Sequence, residues 1–214
     1  RFADSITVDF HKMGWGHYPS SAFIVNRRED LLYLFRKKEE MPYFSEAEYR
    51  RDPALFTLEC SRPAIGPYSV MASLNGIGLA GFQILVARAL EHALYLKRRL
   101  DELNYCKVLN AGTVGTSVVW WVLPRGRNAE EIFERVETGM LEEKNYQRYF
   151  KEIRHLFDKR KHTLDPQRDA CLSFTTNMGY APQGVPLPAW KAVFFNPKTD
   201  RAVIDRLIES IEEL

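Results

Sequence analysis

SITVDFHKMGWGHYPSSAFIVN, residues 5–26 of the chain, consists of two apolar arms around a polar turn that contains glycine. The arms are rich in β-branched and aromatic residues, a pattern typical of strands that pack against a core. Between them lie two histidines, a lysine, two glycines and a proline, and charged groups of this kind are costly to bury. The stretch therefore predicts a buried strand, a turn with reactive groups, and a second strand over residues 20–26.

Lys12 has the most distinctive chemistry in this turn. A free lysine has a pKa of about 10.4, so very few side chains are the neutral amine at neutral pH. A partly desolvated pocket lowers this pKa and lets the amine form a Schiff base with a carbonyl. His11 can donate to an anion, and Gly14 and Gly16 would let the backbone approach a ligand closely. On these residues alone, an ordinary surface turn is the more common alternative.

Composition narrows the class of protein. The 214 residues include 30 Lys and Arg against 28 Asp and Glu, and the basic residues are spread along the chain, which does not suggest nucleic-acid binding. The run KRKH at 159–162 is interpreted as a solvated helix end. The longest uninterrupted apolar stretch, SVVWWVL at 117–123, is far shorter than the roughly 20 residues that span a bilayer. We therefore expect a soluble globular protein that contacts neither nucleic acid nor membrane.

The cysteines and the first residues suggest a cellular context. Cys60, Cys106 and Cys171 have neither disulfide-like nor metal-like spacing, which is typical of reduced thiols in the cytoplasm, and no metal site is predicted. Arg1 leads directly toward a strand, without a charged leader and an apolar signal core. The sequence is interpreted as the later part of a larger cytoplasmic protein.

The middle of the chain predicts a loop followed by a long helix. Residues 41–63 mix proline, tyrosine and charge without a sustained period, which indicates a long surface loop of the kind that is often functional. Residues 82–103 then predict an amphipathic helix with cations near its C-terminal end. Its apolar side comprises Leu85, Ala89, Ala93, Leu96, Leu100 and Leu103.

From about residue 104 the pattern changes to short strands separated by helices. Strands are predicted in YCKVLNAG, GTSVVWWVLP, ACLSFTTNM and AWKAVFFN. Residues 127–157 predict either one helix broken near Gly139 or two successive helices. Thr199 is the predicted N-cap of a last helix, whose apolar side comprises Val203, Ile204, Leu207, Ile208, Ile211 and Leu214. Strands on one face and helices on the other indicate a small α+β domain.

Three segments together resemble a known family. ADSITVDFHKMGWGHYPSSAFIVNR is similar to the cofactor-lysine segment of the group II pyridoxal-phosphate-dependent amino-acid decarboxylases, of the glutamate, aromatic-amino-acid and cysteine-sulfinate type. LECSRPAIGPYSVMASLNGIGLAGF is similar to the segment after their mobile loop, and FFNPKTDRAVIDRLIESIEEL to their last strand and helix. The resemblance follows the order of the family along nearly the whole chain.

The resemblance implies a role for individual residues. Lys12 corresponds to the lysine that holds pyridoxal 5'-phosphate as a Schiff base, and His11 to the histidine that contacts the cofactor phosphate. Tyr43 corresponds to the mobile-loop tyrosine that protonates the substrate carbon after carbon dioxide leaves, with Tyr49 as the local alternative. Arg62 matches an arginine near the active site and subunit interface, and its alternative is an ordinary surface arginine.

Two positions depart from the family pattern. Many members have Asn-Pro before the His-Lys pair, whereas this chain has Asp9 and Phe10. Because a carboxylate repels a phosphate, we expect Asp9 to point elsewhere or to bind through a donor. Lys191 stands where glutamate-type enzymes have an arginine for the substrate carboxylate, and lysine lacks the planar fork of arginine. A solvated lysine at the end of a strand is the alternative for Lys191.

The resemblance also implies an architecture and an activity. It implies the C-terminal part of a fold-type I, aspartate-aminotransferase-like α/β enzyme: residues 1–103 end the large cofactor domain, and residues 104–214 form a small C-terminal α+β domain. It implies a homodimer with active sites at the interface, in which either subunit could supply Tyr43 and Arg62. The implied reaction is decarboxylation of an L-amino acid to the amine.

Alternatives remain open at the level of sequence. An aminotransferase, lyase or oxidative deaminase of the same fold would also use Lys12, and a catalytically silent homologue or interaction module would keep the fold without the chemistry. In the family, the aspartate that pairs with the pyridine nitrogen and most phosphate donors lie upstream of the lysine. We therefore expect these 214 residues alone not to bind the cofactor stably.

Overall fold

The chain forms two compact units, Arg1–Gln83 and Ile84–Leu214. The computed structural model describes residues 3–35, 40, 53–56, 63–165, 168–182 and 184–214. The boundary between the units falls inside the long helix, whereas the sequence predicts a domain boundary after residue 103. That domain assignment stays a prediction, and each unit is described by itself.

The first unit begins with the predicted pair of strands. Strands β1 (Ser5–Asp9) and β2 (Ser21–Val25) form an antiparallel hairpin in which Asp9 lies opposite Ser21. A 3-10 helix follows at Arg28–Leu34. The strands are confirmed, and their register brings the beginning and the end of the polar turn together.

The prediction that these strands are buried is wrong. On β2, Phe23 is 58% exposed and Ile24 is 54% exposed, and Ile6 on β1 is similarly open. In the part of the chain that the structure describes, β1 pairs with β2 and no third strand extends this sheet. A hairpin alone has too little neighbouring chain to cover both faces, so its apolar residues remain exposed.

Helix α1 is longer than the sequence predicts. It covers Ile65–Asp101 rather than residues 82–103, and its helical backbone is interrupted at Gly78, where φ is 64° and ψ is 169°. Gly76, Gly78 and Gly81 make the first half an intrinsically poor helix former, which is why the sequence pattern does not indicate it. The second half agrees with the prediction, since its fully buried positions are Ala89, Ala93, Leu96 and Leu100.

Helix α1 is also long and apolar enough, by composition, to cross a membrane. An 18-residue window within it has a mean hydropathy of 1.7, and none of that window is buried. A single helix of this kind is weak evidence for a membrane span, because core helices of other proteins have the same composition. The sequence analysis considered only uninterrupted apolar runs, and the absence of a membrane contact stays a prediction.

The second unit is built on an antiparallel sheet of four strands. Its strands are β3 (Cys106–Val108), β4 (Ser117–Val122), β5 (Ser173–Thr175) and β6 (Ala189–Val193), arranged in the order β3-β4-β6-β5. All four predicted strands are therefore confirmed. The apolar stretch over residues 117–123 forms β4, whose residues from position 118 onward are buried in the core of the unit.

Three helices accompany this sheet. They are α2 (Ala129–Glu137), α3 (Glu143–Thr163) and α4 (Arg201–Glu212). The sequence left open one broken helix or two, and the structure has two, separated at Gly139, where φ is 70°. Glycine tolerates this left-handed conformation, and a helix commonly ends where it does so.

The cap of α4 differs from the prediction. Asp200, not Thr199, is the N-cap, and its Oδ1 accepts a hydrogen bond of 3.0 Å from the Val203 amide. Both residue types are good caps, so the sequence alone could not choose between neighbours. The predicted apolar side of the helix is confirmed by the burial of Ile204, Leu207, Ile208 and Ile211.

Aromatic side chains fill the core of the second unit. Trp120 on β4 and Trp190 on β6 are directly opposite in the register, and their ring centroids lie 6.1 Å apart. The indole of Trp190 donates a 3.1 Å hydrogen bond to the Ile153 carbonyl on α3, which ties sheet to helix. Trp121, on the same strand, donates at 2.6 Å to the Pro188 carbonyl.

Two cations are buried in this unit, and one of them lies in a run interpreted as solvated. Arg160, within the run interpreted as a solvated helix end, is 4% exposed and donates to the Ser210 hydroxyl and the Ala170 carbonyl. Lys97 is 6% exposed, and its Nζ donates to the carbonyls of Asn110 at 2.6 Å and Thr113 at 2.8 Å. Both side chains hold neighbouring loops, because each cation donates hydrogen bonds to backbone carbonyl oxygens of those loops.

The cysteines show no shared site. Cys106 is buried and Cys171 is exposed, both as free thiols, while Cys60 lies outside the described residues. Burial raises the pKa of the Cys106 thiol, which keeps it protonated and unreactive. Among the residues that the structure describes, no group of three or more His, Cys, Asp or Glu could hold a metal ion.

Candidate functional site

The turn after β1 carries the lysine that the sequence singles out. Backbone hydrogen bonds hold the turn: the Lys12 amide donates to the Asp9 carbonyl at 3.1 Å, and the Gly16 amide to the Phe10 carbonyl at 2.9 Å. The His11 amide also donates to the Ser20 carbonyl at 3.2 Å, at the start of the second strand. The position of Lys12 is thus fixed by both ends of the hairpin.

Glycine is required at position 14 by the turn itself. A Cβ at Gly14 would lie 2.7 Å from the Phe10 carbonyl oxygen and 2.8 Å from its Cα, closer than real side chains come. At Gly16 the nearest neighbour of a Cβ would be the Ser20 hydroxyl, at 3.1 Å. Gly14 was expected to let a ligand approach the backbone. The structure shows instead that it allows close packing within the chain.

The Lys12 side chain is exposed and paired. Its side chain is 62% exposed, and Nζ lies 2.5 Å from Oδ2 of Asp9. The hydrogen bond from the ammonium to Asp9, followed by the attraction between the two charges, raises the pKa of Lys12. The predicted lowering of this pKa by a desolvated pocket is wrong for this chain, because the lysine faces solvent and a carboxylate.

Asp9 binds donors at both of its oxygens. Oδ2 accepts from Lys12, and Oδ1 accepts a 2.6 Å hydrogen bond from the hydroxyl of Ser21 on β2. These two hydrogen bonds, that from Lys12 being the larger effect, lower the pKa of the Asp9 carboxyl. The expectation that Asp9 binds through a donor agrees with this geometry, and the donor includes the predicted cofactor lysine.

His11 is oriented by its neighbours. Its ring lies against that of Tyr18 with a centroid distance of 3.9 Å, and its Nδ1 lies 3.0 Å from the Ser20 carbonyl oxygen and 3.4 Å from the Ser20 amide nitrogen. Nδ1 donates to the carbonyl when it carries a proton and accepts from the amide when it does not. In both states Nδ1 binds Ser20, which leaves Nε2 to contact an anion whenever Nε2 is protonated.

The first half of α1 supports the turn through hydroxyl groups. The Ser69 hydroxyl accepts from the His17 amide at 3.0 Å, and the Ser73 hydroxyl donates to the Trp15 carbonyl at 3.2 Å. The Trp15 ring also lies 5.7 Å from that of Phe82. The backbone amide of His17 thus joins the turn to this helix, while its Nδ1 lies 2.6 Å from the Tyr18 carbonyl oxygen.

A cavity of about 550 Å³ lies beside the turn and is largely apolar. Ser20 lines it, is buried, and has no hydrogen-bond partner for its hydroxyl in the part of the chain that the structure describes. A buried hydroxyl without a partner is unfavourable, so it is a natural place for a polar group of another molecule or segment. Other lining residues include Phe10, Pro19, Pro67 and Met71.

The other predicted site residues lie outside the described part of the chain or belong to the second unit. Tyr43, its alternative Tyr49, and Arg62 lie outside the described residues. Lys191 belongs to the second unit, where it is half-buried in the middle of β6 and pairs with both β4 and β5. The alternative of a lysine at a strand end is therefore wrong, since Lys191 occupies a central strand.

Several supporting residues were missed by the sequence analysis. Ser21, Ser69 and Ser73 bind the turn or its carboxylate, yet serine is too common in loops and helices for its sequence position to predict this. The pair of Asp9 and Lys12 had a usable signal, because residues of opposite charge three positions apart in a turn can reach one another. The sequence analysis considered Asp9 only in relation to a phosphate.

Curated proteins similar to this chain are amino-acid decarboxylases. The chain is 31% identical over 109 residues to a probable L-aspartate decarboxylase of Archaeoglobus fulgidus, covering 51% of this chain and 27% of that protein. It is 30% identical over 106 residues to the L-tyrosine/L-aspartate decarboxylase of Methanocaldococcus jannaschii, covering 50% and 24%. The chain thus matches about a quarter of these relatives, and no family model matches it.

Solved structures share the fold over nearly the whole chain. Mouse CSAD superimposes with a TM-score of 0.68 at 15% identity, covering 99% of this chain and 39% of that one. Tryptophan decarboxylase of Catharanthus roseus gives 0.66 at 12% identity, with 99% and 36% covered. A sphingosine-1-phosphate lyase of Burkholderia pseudomallei gives 0.63 at 16% identity, with 99% and 37% covered.

The sequence relatives and the shared fold agree with the resemblance drawn from the three sequence segments. The predicted fold class, the C-terminal part of a fold-type I pyridoxal-phosphate enzyme, is confirmed by the superpositions. Together these matches show a fold shared with part of mouse CSAD and tryptophan decarboxylase, and a sequence similarity to amino-acid decarboxylases over about half of the chain.

Proposed function

We propose that this chain is the C-terminal part of an amino-acid decarboxylase that uses pyridoxal 5'-phosphate, and that Lys12 binds the cofactor covalently. The observation that carries the proposal is the exposed amine of Lys12 on a turn that both strands of the hairpin hold in place. When bound, the cofactor would supply an aldehyde, and the amine of Lys12 would hold it covalently, with the aldehyde oxygen leaving as water. The decarboxylases to which the chain is similar support the reaction type.

The residues around the turn fit one side of such a site. His11, as the imidazolium, has an Nε2 donor left for the phosphate, because Nδ1 already donates to the Ser20 carbonyl. The buried hydroxyl of Ser20 has no partner among the described residues and could take a polar group. The turn offers no ring-binding carboxylate besides Asp9, which is paired with Lys12, so the remaining contacts belong to chain upstream of Arg1.

The residues of this chain would bind the substrate and move protons. The cofactor, when bound, supplies the electron sink that makes loss of the carboxylate possible. Arg62 and Lys191 bind the substrate carboxylate and orient it, with lysine making a single contact where arginine would make two. Tyr43 donates the proton of its hydroxyl to the substrate α-carbon after carbon dioxide has left. Lys12 then releases the amine product.

The proposal includes partners and a compartment. We propose a homodimer with the active site at its interface, the remainder of the cofactor domain upstream of Arg1, a small amino acid as substrate, and a cytoplasmic location. The exposed apolar residues of the hairpin, such as Phe23 and Ile24, support further covering chain. Acidic, aromatic and diamino substrates all remain candidates, since the relatives are named for both aspartate and tyrosine.

A second candidate is a different reaction on the same fold. Structures that share the fold include a 4-hydroxyphenylacetaldehyde synthase of Rhodiola rosea, with a TM-score of 0.65, as well as the lyase already described. An enzyme of either kind would attach the cofactor to Lys12 but would not form the simple amine. The curated relatives favour decarboxylation to the amine over these alternatives.

The experiment measures cofactor attachment and product in the complete protein. Borohydride reduction followed by peptide mass spectrometry should place the cofactor on Lys12, and Lys12→Ala should abolish that adduct. When a panel of amino acids is tested, at least one should be converted to carbon dioxide and the corresponding amine in equal amounts. Tyr43→Phe should lower amine formation about a hundredfold or more, the usual contribution of a general acid, whereas Tyr49→Phe should not.

Each outcome distinguishes the candidates. An adduct on Lys12 without carbon dioxide from any amino acid would overturn decarboxylation and favour the second candidate. If no adduct forms under any condition, the result would favour a catalytically silent homologue. Unchanged turnover in Tyr43→Phe, with a loss in Tyr49→Phe, would move the proton donor to position 49. A reducible chromophore on Lys12 in residues 1–214 alone would contradict the need for upstream chain.

A further inference from the structure

We propose that Asp9 is a positioning residue for Lys12: its carboxylate holds the lysine as an ammonium at the end of β1 and sets the pH range in which the amine reacts with an aldehyde. The inference rests on the proposed function for its role in cofactor loading. Its chemistry concerns only these two side chains, so it can be tested separately.

The pair is built into the turn. Nζ of Lys12 lies 2.5 Å from Oδ2 of Asp9, a short charge-assisted hydrogen bond between residues three positions apart. The backbone of the same two residues is joined by the 3.1 Å bond from the Lys12 amide to the Asp9 carbonyl. Because the main chain already brings the residues together, the pair forms without further ordering of the backbone, and only side-chain freedom is lost.

The carboxylate is held from its other side by the second strand. Ser21 lies opposite Asp9 in the hairpin register, and its hydroxyl donates to Oδ1 at 2.6 Å. With Oδ1 occupied, Oδ2 is the oxygen that remains for Lys12. The hairpin therefore fixes the direction of the acceptor, and the acceptor in turn places the lysine nitrogen.

Few other charges act on this pair. Among the described residues, Lys12 is influenced by Asp9 and by the hydroxyl of Tyr18, and Asp9 by Lys12 and by the ring of His11. The group that faces them from β2 is the neutral hydroxyl of Ser21. Asp9 is thus the partner whose charge dominates the state of the lysine.

The sign of the effect follows from the two shifts. The pKa of Lys12 is raised and that of Asp9 is lowered, each chiefly by the hydrogen bond between them. The pair is therefore complete at neutral pH and is lost as the pH rises through the pKa of Lys12. At any pH below that value, the fraction of neutral amine is smaller than it would be without Asp9.

The chemical step requires this proton to leave. The ammonium gives its proton to a base in solvent, since Asp9 with its lowered pKa is a poor acceptor. The amine nitrogen then bonds to the aldehyde carbon, and the aldehyde oxygen departs as water. Asp9 therefore slows the reaction of the amine with the aldehyde at low pH. The same hydrogen bond keeps the lysine nitrogen at one place on the turn.

The first arm of the test measures the amine without any cofactor. The complete protein and its Asp9→Asn variant are acetylated with limiting acetic anhydride between pH 6 and 10, and each lysine is quantified by mass spectrometry. Below the pKa of Lys12, its acetylation should be about two- to fivefold faster in the variant, as expected for loss of an exposed ion pair. Lys107, which pairs with Glu130 at 2.5 Å, is the internal control and should not change.

Two further variants separate charge from structure. Ser21→Ala keeps the carboxylate but frees Oδ1, and should give an intermediate increase at Lys12. Asp9→Glu restores a carboxylate and should return the pH profile toward that of the wild type. If Asp9→Asn fails to fold, the Lys12 acetylation profiles of Ser21→Ala and Asp9→Glu still test the role of Asp9. Superimposable Lys12 profiles in the wild type and all variants would overturn the proposal.

The second arm separates this inference from the proposed function. Pyridoxal 5'-phosphate is added over the same pH range and trapped with borohydride. If the cofactor attaches to Lys12, its pH midpoint should move to lower pH in Asp9→Asn, and an unmoved midpoint would contradict the role of Asp9. If the wild type forms no adduct at any pH, the proposed function fails, while the acetylation profiles still decide whether Asp9 controls the amine.

Discussion

The two units of the chain differ most in what they bury. The unit Ile84–Leu214 encloses a core in which Trp120, Trp121 and Trp190 are fully buried. In the unit Arg1–Gln83, the one large apolar side chain that is fully buried among the described residues is Leu55. The difference indicates that the second unit contains its own core, whereas the described residues of the first unit form only a small one.

The reactive groups lie in the unit with the smaller core. The turn that carries Lys12 is held by hydrogen bonds from the hairpin and from the hydroxyls of α1, and hardly by apolar burial. Exposed apolar residues cluster in the same unit, including Ile6, Phe23, Ile24, Ile65, Tyr68, Met71, Leu74 and Leu79. A surface of this composition usually serves an interface, so the site depends on chain that covers it.

Replacement of a core tryptophan should have the largest effect on stability and should destabilise only the second unit. Trp190→Ala removes a fully buried ring and its hydrogen bond to Ile153, and should cost about 3–5 kcal/mol of unfolding free energy. Phe23→Ala in the first unit removes a ring that is 58% exposed and should lower the unfolding free energy by about 0.5 kcal/mol or less. Urea denaturation of the 214-residue chain, followed by circular dichroism, measures both.

This pair of variants can contradict the comparison directly. If Phe23→Ala were as costly as Trp190→Ala, the hairpin would be covered in solution, for example by a second copy of the chain. Dependence of the unfolding midpoint on protein concentration would identify that case.

Replacement of a buried lysine should have an intermediate effect. Lys97→Met keeps the apolar stem but removes the donor that binds the carbonyls of Asn110 and Thr113. The Asn110 carbonyl keeps its hydrogen bonds from the Thr113 amide and hydroxyl, so the loss falls mainly on the Thr113 carbonyl and should cost about 1.5–3 kcal/mol. Lys107→Met removes a pair with Glu130 at the surface and should cost about 1 kcal/mol or less. Amide hydrogen exchange at residues 110–113 should accelerate only in the first variant. Equal costs would mean that the loop does not need Lys97.

The second unit could be predicted well because its signals are local and repeated. Strand β4 is a run of β-branched and aromatic residues, and α4 shows its apolar side at regular spacing. The first half of α1 could not be predicted, because three glycines oppose helix formation and only packing or covering chain favours it. The burial of the hairpin was misjudged for a related reason, since a strand pattern does not reveal whether neighbours are present.

The turn of the candidate site was predictable, whereas the ionisation state of Lys12 was not. The strand pattern placed Lys12 and His11 on a turn between two strands, and the structure has them there, beside Ser20. Their roles toward a cofactor stay predictions. The expected desolvation of Lys12 failed because it requires surrounding chain, whereas the pair with Asp9 requires only the turn. The contacts of Ser69 and Ser73 depend on how α1 packs in three dimensions, which no spacing of serines encodes.

Replacement of the α4 cap should have the smallest effect and tests whether the second unit unfolds as a whole. Asp200→Ala removes the acceptor for the Val203 amide and should cost about 1 kcal/mol, the usual value for an N-cap. Thr199→Ala should cost much less, because its side chain is not the cap. If the unit is cooperative, the loss at Asp200 will appear in full in the unfolding of β6 and α3, measured by urea denaturation with hydrogen exchange. Exchange that accelerates only within α4 would show that this helix opens separately. The second unit would then not unfold as a single cooperative core.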